Sequence, residues 1–340
     1  MADRQTLIND FLKSNGWADA TRAPLAGDAS NRRYERLSHP TLGPAVLMDA
    51  PPDRGEDTRP FVHIAEHLAA LGLSAPTIIA KDSALGFLLL EDLGDALFAR
   101  VLQNNPALET PLYQAATDVL LNLHNAPLPP SLKAYDPALM ADMAALAFDW
   151  YLGQATTPDP TARDRFVRTF QSELEQFAND KSVLIQRDYH AENLLWLPER
   201  TGPARVGLLD FQDAMTGHPA YDLVSLLQDA RRDVPPATER AMIDRYVAKS
   251  GVDAGAFERA LHLLGAQRNL RIIGVFARLC LRDAKAHYVD LIPRVWGLLQ
   301  RDLDHPALTS VAPIVRAALP TPDASLLNRL KDKCGQVPTP

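Results

Sequence analysis

The spacing of apolar residues changes once along this 340-residue chain, and the change restricts it to a few architectures. Residues 3–15 place Leu7, Ile8, Phe11 and Leu12 at helical spacing, with Asp3 as a cap and Gly16 as a stop. Strands are expected near 22–26, 33–37 and 45–49, then a helix over 61–71 opened by Pro60, then a hairpin from 76–80 and 87–91. After Gly94-Asp95 the period becomes 3.6 and stays so. Helices are expected near 109–125, 138–153, 161–178, 236–250, 254–282, 285–303 and 323–333, with one strand-rich interval at 183–211. Strands gathered at one end and helices after them describe an α+β protein, not alternating βαβ units. The boundary falls at 90–95, so residues 1–94 form a small sheet-containing lobe and residues 95–340 a larger, mostly helical one.

Composition removes several function classes. With 46% hydrophobic and 23% charged residues the chain has a full core and is no disordered scaffold. Its 35 basic and 42 acidic side chains give a net charge of -7, without a basic block, so no nucleic acid partner is expected. Gly86-Phe87-Leu88-Leu89-Leu90 is far shorter than the roughly 18–20 residues a bilayer needs, and Met1-Ala2-Asp3-Arg4-Gln5 is no apolar signal core. The expectation is a soluble cytoplasmic protein with no membrane contact and no obligate protein partner. Cys280 and Cys334 cannot build a disulfide framework or thiolate cluster, and Cys280 fits a small buried hydrophobe.

The chemistry is concentrated in Val183-Leu184-Ile185-Gln186-Arg187-Asp188-Tyr189-His190-Ala191-Glu192-Asn193-Leu194-Leu195-Trp196. An apolar strand enters a polar loop and leaves as a second apolar strand, so Asp188 and Asn193 sit on one turn. In phosphoryl transfer such a carboxylate accepts the proton of the attacking hydroxyl while the amide oxygen holds magnesium. Val206-Gly207-Leu208-Leu209-Asp210-Phe211-Gln212-Asp213 then delivers a second carboxylate, Asp210, 22 residues after Asp188 across the Glu199-Arg200-Thr201-Gly202-Pro203 turn. A hairpin is expected to set the two carboxylates side by side, and their oxygens with the amide suit Mg²⁺.

These motifs resemble the aminoglycoside-phosphotransferase and choline-kinase branch of the protein-kinase-like fold. The resemblance implies a bilobal structure with a small β-sheet N-lobe and a helical C-lobe, and ATP and Mg²⁺ as cofactors. Asp188 is then the catalytic base, Asn193 and Asp210 the metal ligands, and Asp222 in Pro219-Ala220-Tyr221-Asp222-Leu223 a brace for the catalytic loop. Gly27-Asp28-Ala29-Ser30-Asn31-Arg32-Arg33-Tyr34 resembles the nucleotide-positioning loop, with Gly27, Asp28, Ser30 and Asn31 near the phosphates. Leu89-Leu90-Glu91-Asp92-Leu93-Gly94 resembles the interlobe hinge, whose backbone at Glu91 and Leu93 would meet adenine, and Glu66 fits the glutamate that orients a phosphate-binding lysine. Two positions depart from the family: Gln186 replaces its leading His, so another hydrogen bond must brace the loop, and Met48 stands where it has Lys. Arg32 and Arg33 point to opposite faces of a strand, so one of them is expected to supply the missing charge, with Glu66 as an ion-pair partner.

The whole set, extended by Val46-Leu47-Met48-Asp49-Ala50-Pro51-Pro52 and Ile273-Gly274-Val275-Phe276-Ala277-Arg278-Leu279, resembles bacterial anomeric kinases of N-acetylmuramate and N-acetylglucosamine, enzymes of peptidoglycan recycling. That implies transfer from ATP to the anomeric hydroxyl of an amino sugar, giving a sugar 1-phosphate. An anomeric hydroxyl is unusually acidic for an alcohol, so a modest base at Asp188 suffices. Sugar contacts are expected from Asp149, Trp150, Tyr151, Gln212, Asp213, Arg268, Asn269 and Arg271, although Leu146, Phe148 and Leu152 around Trp150 equally fit a core position. Aminoglycosides and choline-like alcohols are alternative acceptors, and Met48 leaves a non-catalytic nucleotide-binding module as another reading. His63-Ile64-Ala65-Glu66-His67 also matches an inverted zinc-peptidase motif, the rival from another enzyme class.

Overall fold

The computed structural model describes residues 3–25, 31–152 and 160–337. They divide into two compact units that interleave along the chain: residues 1–123 with 191–214, and residues 124–190 with 215–340. Residue 94, the expected lobe boundary, lies inside the first of these units. The first unit takes residues on to 123 and reclaims a hairpin that lies within residues 191–214.

In the first unit, β1 (Thr21–Pro24), β2 (Arg33–His39), β3 (Gly43–Asp49), β4 (Ile78–Asp82) and β5 (Phe87–Glu91) form an antiparallel sheet in the order β1-β2-β3-β5-β4. Side chains alternate between its faces. One face carries Leu37, Ala45, Leu47, Phe87 and Leu89, which pack with Ile8, Phe11 and Leu12 of α1 (Arg4–Ser14) and with Trp17. By register, the other face carries Tyr34 beside Met48, Met48 beside Leu88, and Leu88 beside Lys81. The helix α2 (Arg59–Ala70) buries Phe61, Ile64, Ala65 and Leu68. Two short helices, α3 (Phe98–Asn104) and α4 (Glu109–His124), follow.

The second unit is built on α5 (Pro137–Ala144), α6 (Pro160–Phe177), α7 (Ala220–Leu227), α8 (Pro236–Ser250), α9 (Ala254–Leu281), α10 (Ile292–Leu303), α11 (Ala312–Ala318) and α12 (Ala324–Asp332). At 28 residues, α9 is about 42 Å long and is buried on nearly every side, against α5, α6, α7, α10 and α12. The expected helix at 138–153 is α5 followed by a π-helical turn, Ala147–Tyr151. The expected helix at 285–303 is a 3₁₀ segment, Ala286–Leu291, and then α10, because Pro293 in its first turn lacks the N–H that a continuous helix requires. Gly274 of α9 lies against the backbone of that π turn, where a Cβ would stand 2.3 Å from the Leu146 carbonyl carbon. Gly274→Ala is expected to destabilise the protein by about 1–3 kcal/mol through overpacking, read from the urea midpoint, because neither backbone can yield cheaply.

The hairpin expected across the Glu199-Arg200-Thr201-Gly202-Pro203 turn is present, and the strand before the polar loop pairs further along the chain. β6 (Val183–Ile185) pairs with β9 (Met215–Gly217) in the second unit, and β7 (Leu194–Trp196) pairs with β8 (Val206–Leu208) in the first. Among the described residues no helix is long and apolar enough to cross a membrane.

Candidate active site

In the second unit, the wholly buried strand β6 fixes the start of the polar loop. The Asp222 carboxylate, buried in the first turn of α7, accepts the Gln186 N–H at 2.6 Å and the Arg187 N–H at 2.9 Å. This carboxylate grips two consecutive amides and so braces the loop after β6 against α7. Arg187 takes a left-handed φ of 74°, which turns the chain sharply before Asp188. Burial alone would raise the Asp188 pKa, but the charges of the arginines, Arg271 and Arg268 first and then Arg187, hold it below the ordinary carboxylate value. Asp188 is therefore ionised at neutral pH.

In the first unit, the β7–β8 hairpin presents Asn193 and Asp210 at its open end. Leu194 pairs with Leu208, and the Leu209 N–H reaches the Asn193 carbonyl at 3.0 Å. The Asp210 carboxylate accepts from Asn193 Nδ2 at 3.4 Å and from Gln212 Nε2 at 2.7 Å. Asp210 also has a left-handed φ, 58°, a costly conformation for a residue with a side chain and one that clusters at working sites. Phe211 is fully buried with its ring 4.8 Å from that of Phe61, so the strained residue is bolted to α2.

The same unit shows what surrounds Met48. Met48 is 1% exposed, and alternation from Tyr34 puts Arg32 on its face and Arg33 on the other. Arg32 Nε bonds Glu56 Oε2 at 2.9 Å, with both side chains largely buried, and Glu56 Oε1 accepts the Asn31 N–H at 3.0 Å. At the end of β5, the Glu91 carboxylate accepts from Thr77 and from Arg200 Nη2 at 2.5 Å, while the Glu91 N–H is taken by the Thr77 carbonyl. Arg36 reaches Asp95 at 2.7 Å and Asp92 at 3.1 Å, which ties β2 to the segment holding Leu93.

Residues 21–261 match the sequence profile described as the phosphotransferase enzyme family. The chain belongs to that family. A protein of Caulobacter vibrioides named N-acetylmuramate/N-acetylglucosamine kinase is 42% identical over 91% of this chain and 95% of its own, and one of the same name in Pseudomonas aeruginosa is 36% identical over 86% and 88%. Among solved structures, a choline/ethanolamine kinase family protein from Mesorhizobium loti aligns with a TM-score of 0.58 at 14% identity, over 93% of this chain and all of the other. The fold is accordingly the α+β, protein-kinase-like one.

Within this family member, several expected positions are relocated. Gly27, Asp28 and Ser30 lie outside the described residues. Glu66 is exposed and bonds Lys81 at 2.9 Å, so the partner of an arginine is Glu56 instead, reached from the β3–α2 loop. That bond also engages the glutamate of the His63–His67 motif, and among the described residues no group of three or more His, Cys, Asp or Glu is placed to hold a metal. Trp150 is 7% exposed in the π turn, as the core reading of this position expects. Asn269 is buried with its amide on Gln228 and Asp302, and Asp149 pairs with Arg163. Gln212 serves Asp210, and Asp213 is exposed. Glu56 and Arg200 were not foreseen, since single charged residues in loops carry no periodic signal.

Three histidines of the second unit are held uncharged by burial: His190 and His218 have pKa values pushed down to about 4, and His124, bonded to the Tyr246 hydroxyl at 2.7 Å, to about 3. A base depressed in the folded state contributes stability that is lost as pH falls from its unfolded value, about 6.5, toward its folded one. Asp222, raised by burial to about 7, has the opposite slope, losing stability as pH rises through the same range. His305 and His67 are lowered in the same sense, and Asp302 and Glu239 are raised in the sense of Asp222, so five groups against three predict a urea midpoint that climbs between about pH 4 and 6.5. In His124→Phe the climb is expected to be shallower, and an unchanged slope would remove His124 from the account.

Proposed function

We propose that this phosphotransferase is an ATP- and Mg²⁺-dependent kinase of N-acetylmuramate and N-acetylglucosamine, acting on the anomeric hydroxyl to give the sugar 1-phosphate. The observation that carries the chemistry is an Asp188 kept ionised by Arg271 and Arg268 on a loop whose amides Asp222 grips. The acceptor is inferred from the names of relatives up to 42% identical. Such a setting suits peptidoglycan recycling in the cytoplasm, with the sugar and ATP as partners.

Asp188 accepts the hydroxyl proton and orients the oxygen for attack. Asn193 and Asp210 offer an amide oxygen and a carboxylate, hard donors that fit Mg²⁺. In the structure the Asn193 amide turns its N–H to Asp210, and the same adjacency lets both oxygens serve one cation. The bound ion would neutralise charge on the nucleotide phosphates. Arg32, held by Glu56 on the Met48 face, takes the place of the family's lysine, and Arg33 on the opposite face does not. With the Glu91 N–H occupied, an adenine contact at Glu91 falls to its carbonyl, and the next to the Leu93 backbone.

Phosphorus NMR of the product tests the assignment. Incubated with ATP, Mg²⁺ and each of N-acetylmuramate, N-acetylglucosamine and kanamycin, the protein is expected to give a phosphorus signal coupled to the anomeric proton with the two sugars. Transfer to kanamycin alone, or to another sugar position, would overturn it.

A further inference from the structure

Arg268 and Arg271 stand three positions apart on α9 and so share one face. Arg268 is 3% exposed, yet among the described residues neither arginine forms a salt bridge. Arg268 Nη1 makes one long bond, 3.4 Å, to the Gln228 carbonyl, and its Nε is buried without a hydrogen-bond partner. The charges of both act on Asp188. Arg187 adds a third guanidinium, stacked 5.3 Å over the Tyr135 ring.

The neighbouring side chains of α9 show that this is a built arrangement. Gln267 bonds the Tyr135 hydroxyl and the Met140 carbonyl, both at 2.9 Å. Asn269 bonds Gln228 at 2.7 Å and Asp302 at 3.1 Å, and Asp302 also takes Gln228 and His262. These two amides lock the rotation of α9, which keeps residues 268 and 271 directed at the charge of Asp188. Asp188, Asp229 and Asp222 all act on Arg268, yet it forms no salt bridge among the described residues and keeps a buried Nε without a hydrogen-bond partner. A guanidinium fork is the group that meets a carboxylate in two bonds.

The two acceptors of the proposed reaction differ by a single ionised group, the carboxylate of the lactyl ether that N-acetylmuramate carries and N-acetylglucosamine lacks. We infer that Arg268 and Arg271 form the subsite for that carboxylate, and so set the preference for the acidic sugar. The inference rests on the proposed function. The phosphates of the nucleotide have their own ligands there, in Asn193, Asp210 and Arg32, whereas both arginines belong to the unit that holds the base assigned to the acceptor.

The test compares kcat/KM for N-acetylmuramate with that for its neutral carboxamide, in wild type, Arg268→Met, Arg271→Met and Arg271→Lys. Wild type is expected to favour the acid by about 10- to 100-fold, the range of a charge-assisted bond. In both methionine variants the ratio should fall to within about threefold, with Arg271→Lys between. Because the ratio is internal to each variant, a general loss of folded enzyme does not mimic the result. A ratio that stays at the wild-type value in both methionine variants, as when the arginines serve phosphate or structure, overturns the subsite. So does a wild type indifferent to the carboxylate. A wild type that phosphorylates neither sugar overturns the proposed function itself, a distinguishable outcome.

Discussion

Asp188→Asn is expected to lower kcat by about 10²–10⁴-fold, the usual contribution of a positioned general base, while leaving the KM for ATP within about threefold. The substitution keeps shape and removes the proton acceptor. Its effect should not spread to folding, because the loop is held by Asp222 on the Gln186 and Arg187 amides and those bonds do not involve Asp188. Since Arg271 and Arg268 hold Asp188 below the ordinary carboxylate value, the base stays ionised across the neutral range and its titration would reduce kcat only in strong acid. A rate flat from pH 5 to 8 on account of this group, measured by a coupled ADP assay, is the companion result. A variant within tenfold of wild type would take the base out of the scheme.

Asp210→Asn is expected to weaken Mg²⁺-dependent nucleotide binding more than the 10- to 100-fold typical of losing an outer-shell partner of a metal, and to lower kcat with it. Asparagine is the informative choice. At φ 58° alanine would add backbone strain, whereas Asn tolerates the left-handed conformation and leaves the Phe211–Phe61 contact in place. Calorimetry of a nucleotide with and without Mg²⁺ reads the metal term separately from turnover. The loss should be confined to the titration with Mg²⁺. Equal affinity of variant and wild type in the presence of Mg²⁺ would remove Asp210 from the metal site.

Much of this was legible in residues because the informative segments are apolar strands that end in charged residues. Val183–Ile185 followed by Asp188, and Val206–Leu208 followed by Asp210, announce themselves. The β7–β8 hairpin across the Glu199–Pro203 turn was legible as well, but the partner of β6 was not, because β9 is three residues long and ordinary in composition. α7 escaped detection for its length: its eight residues, all buried, are fewer than the roughly 11–18 over which a helical period is read. The partner of Arg32 was assigned to Glu66 by analogy with a lysine that is absent. A loop residue, Glu56, had the shorter route, and only coordinates reveal which of two nearby carboxylates a flexible cation takes.

The interleaving of the two units bears on how the chain is made. All five strands of the sheet have been synthesised by residue 91, but Ser74 pairs in the finished protein with Gly207, and its hydroxyl is bonded to Ala204 and Arg200. On a ribosome the first unit must therefore wait, with a gap where its hairpin belongs, through the whole stretch from 124 to 190. Contacts of such long sequence separation are slow to close. No single cut of the chain, moreover, yields two pieces that each hold a complete unit, so the unit that carries Asn193 and Asp210 cannot be expressed or exchanged as one continuous segment.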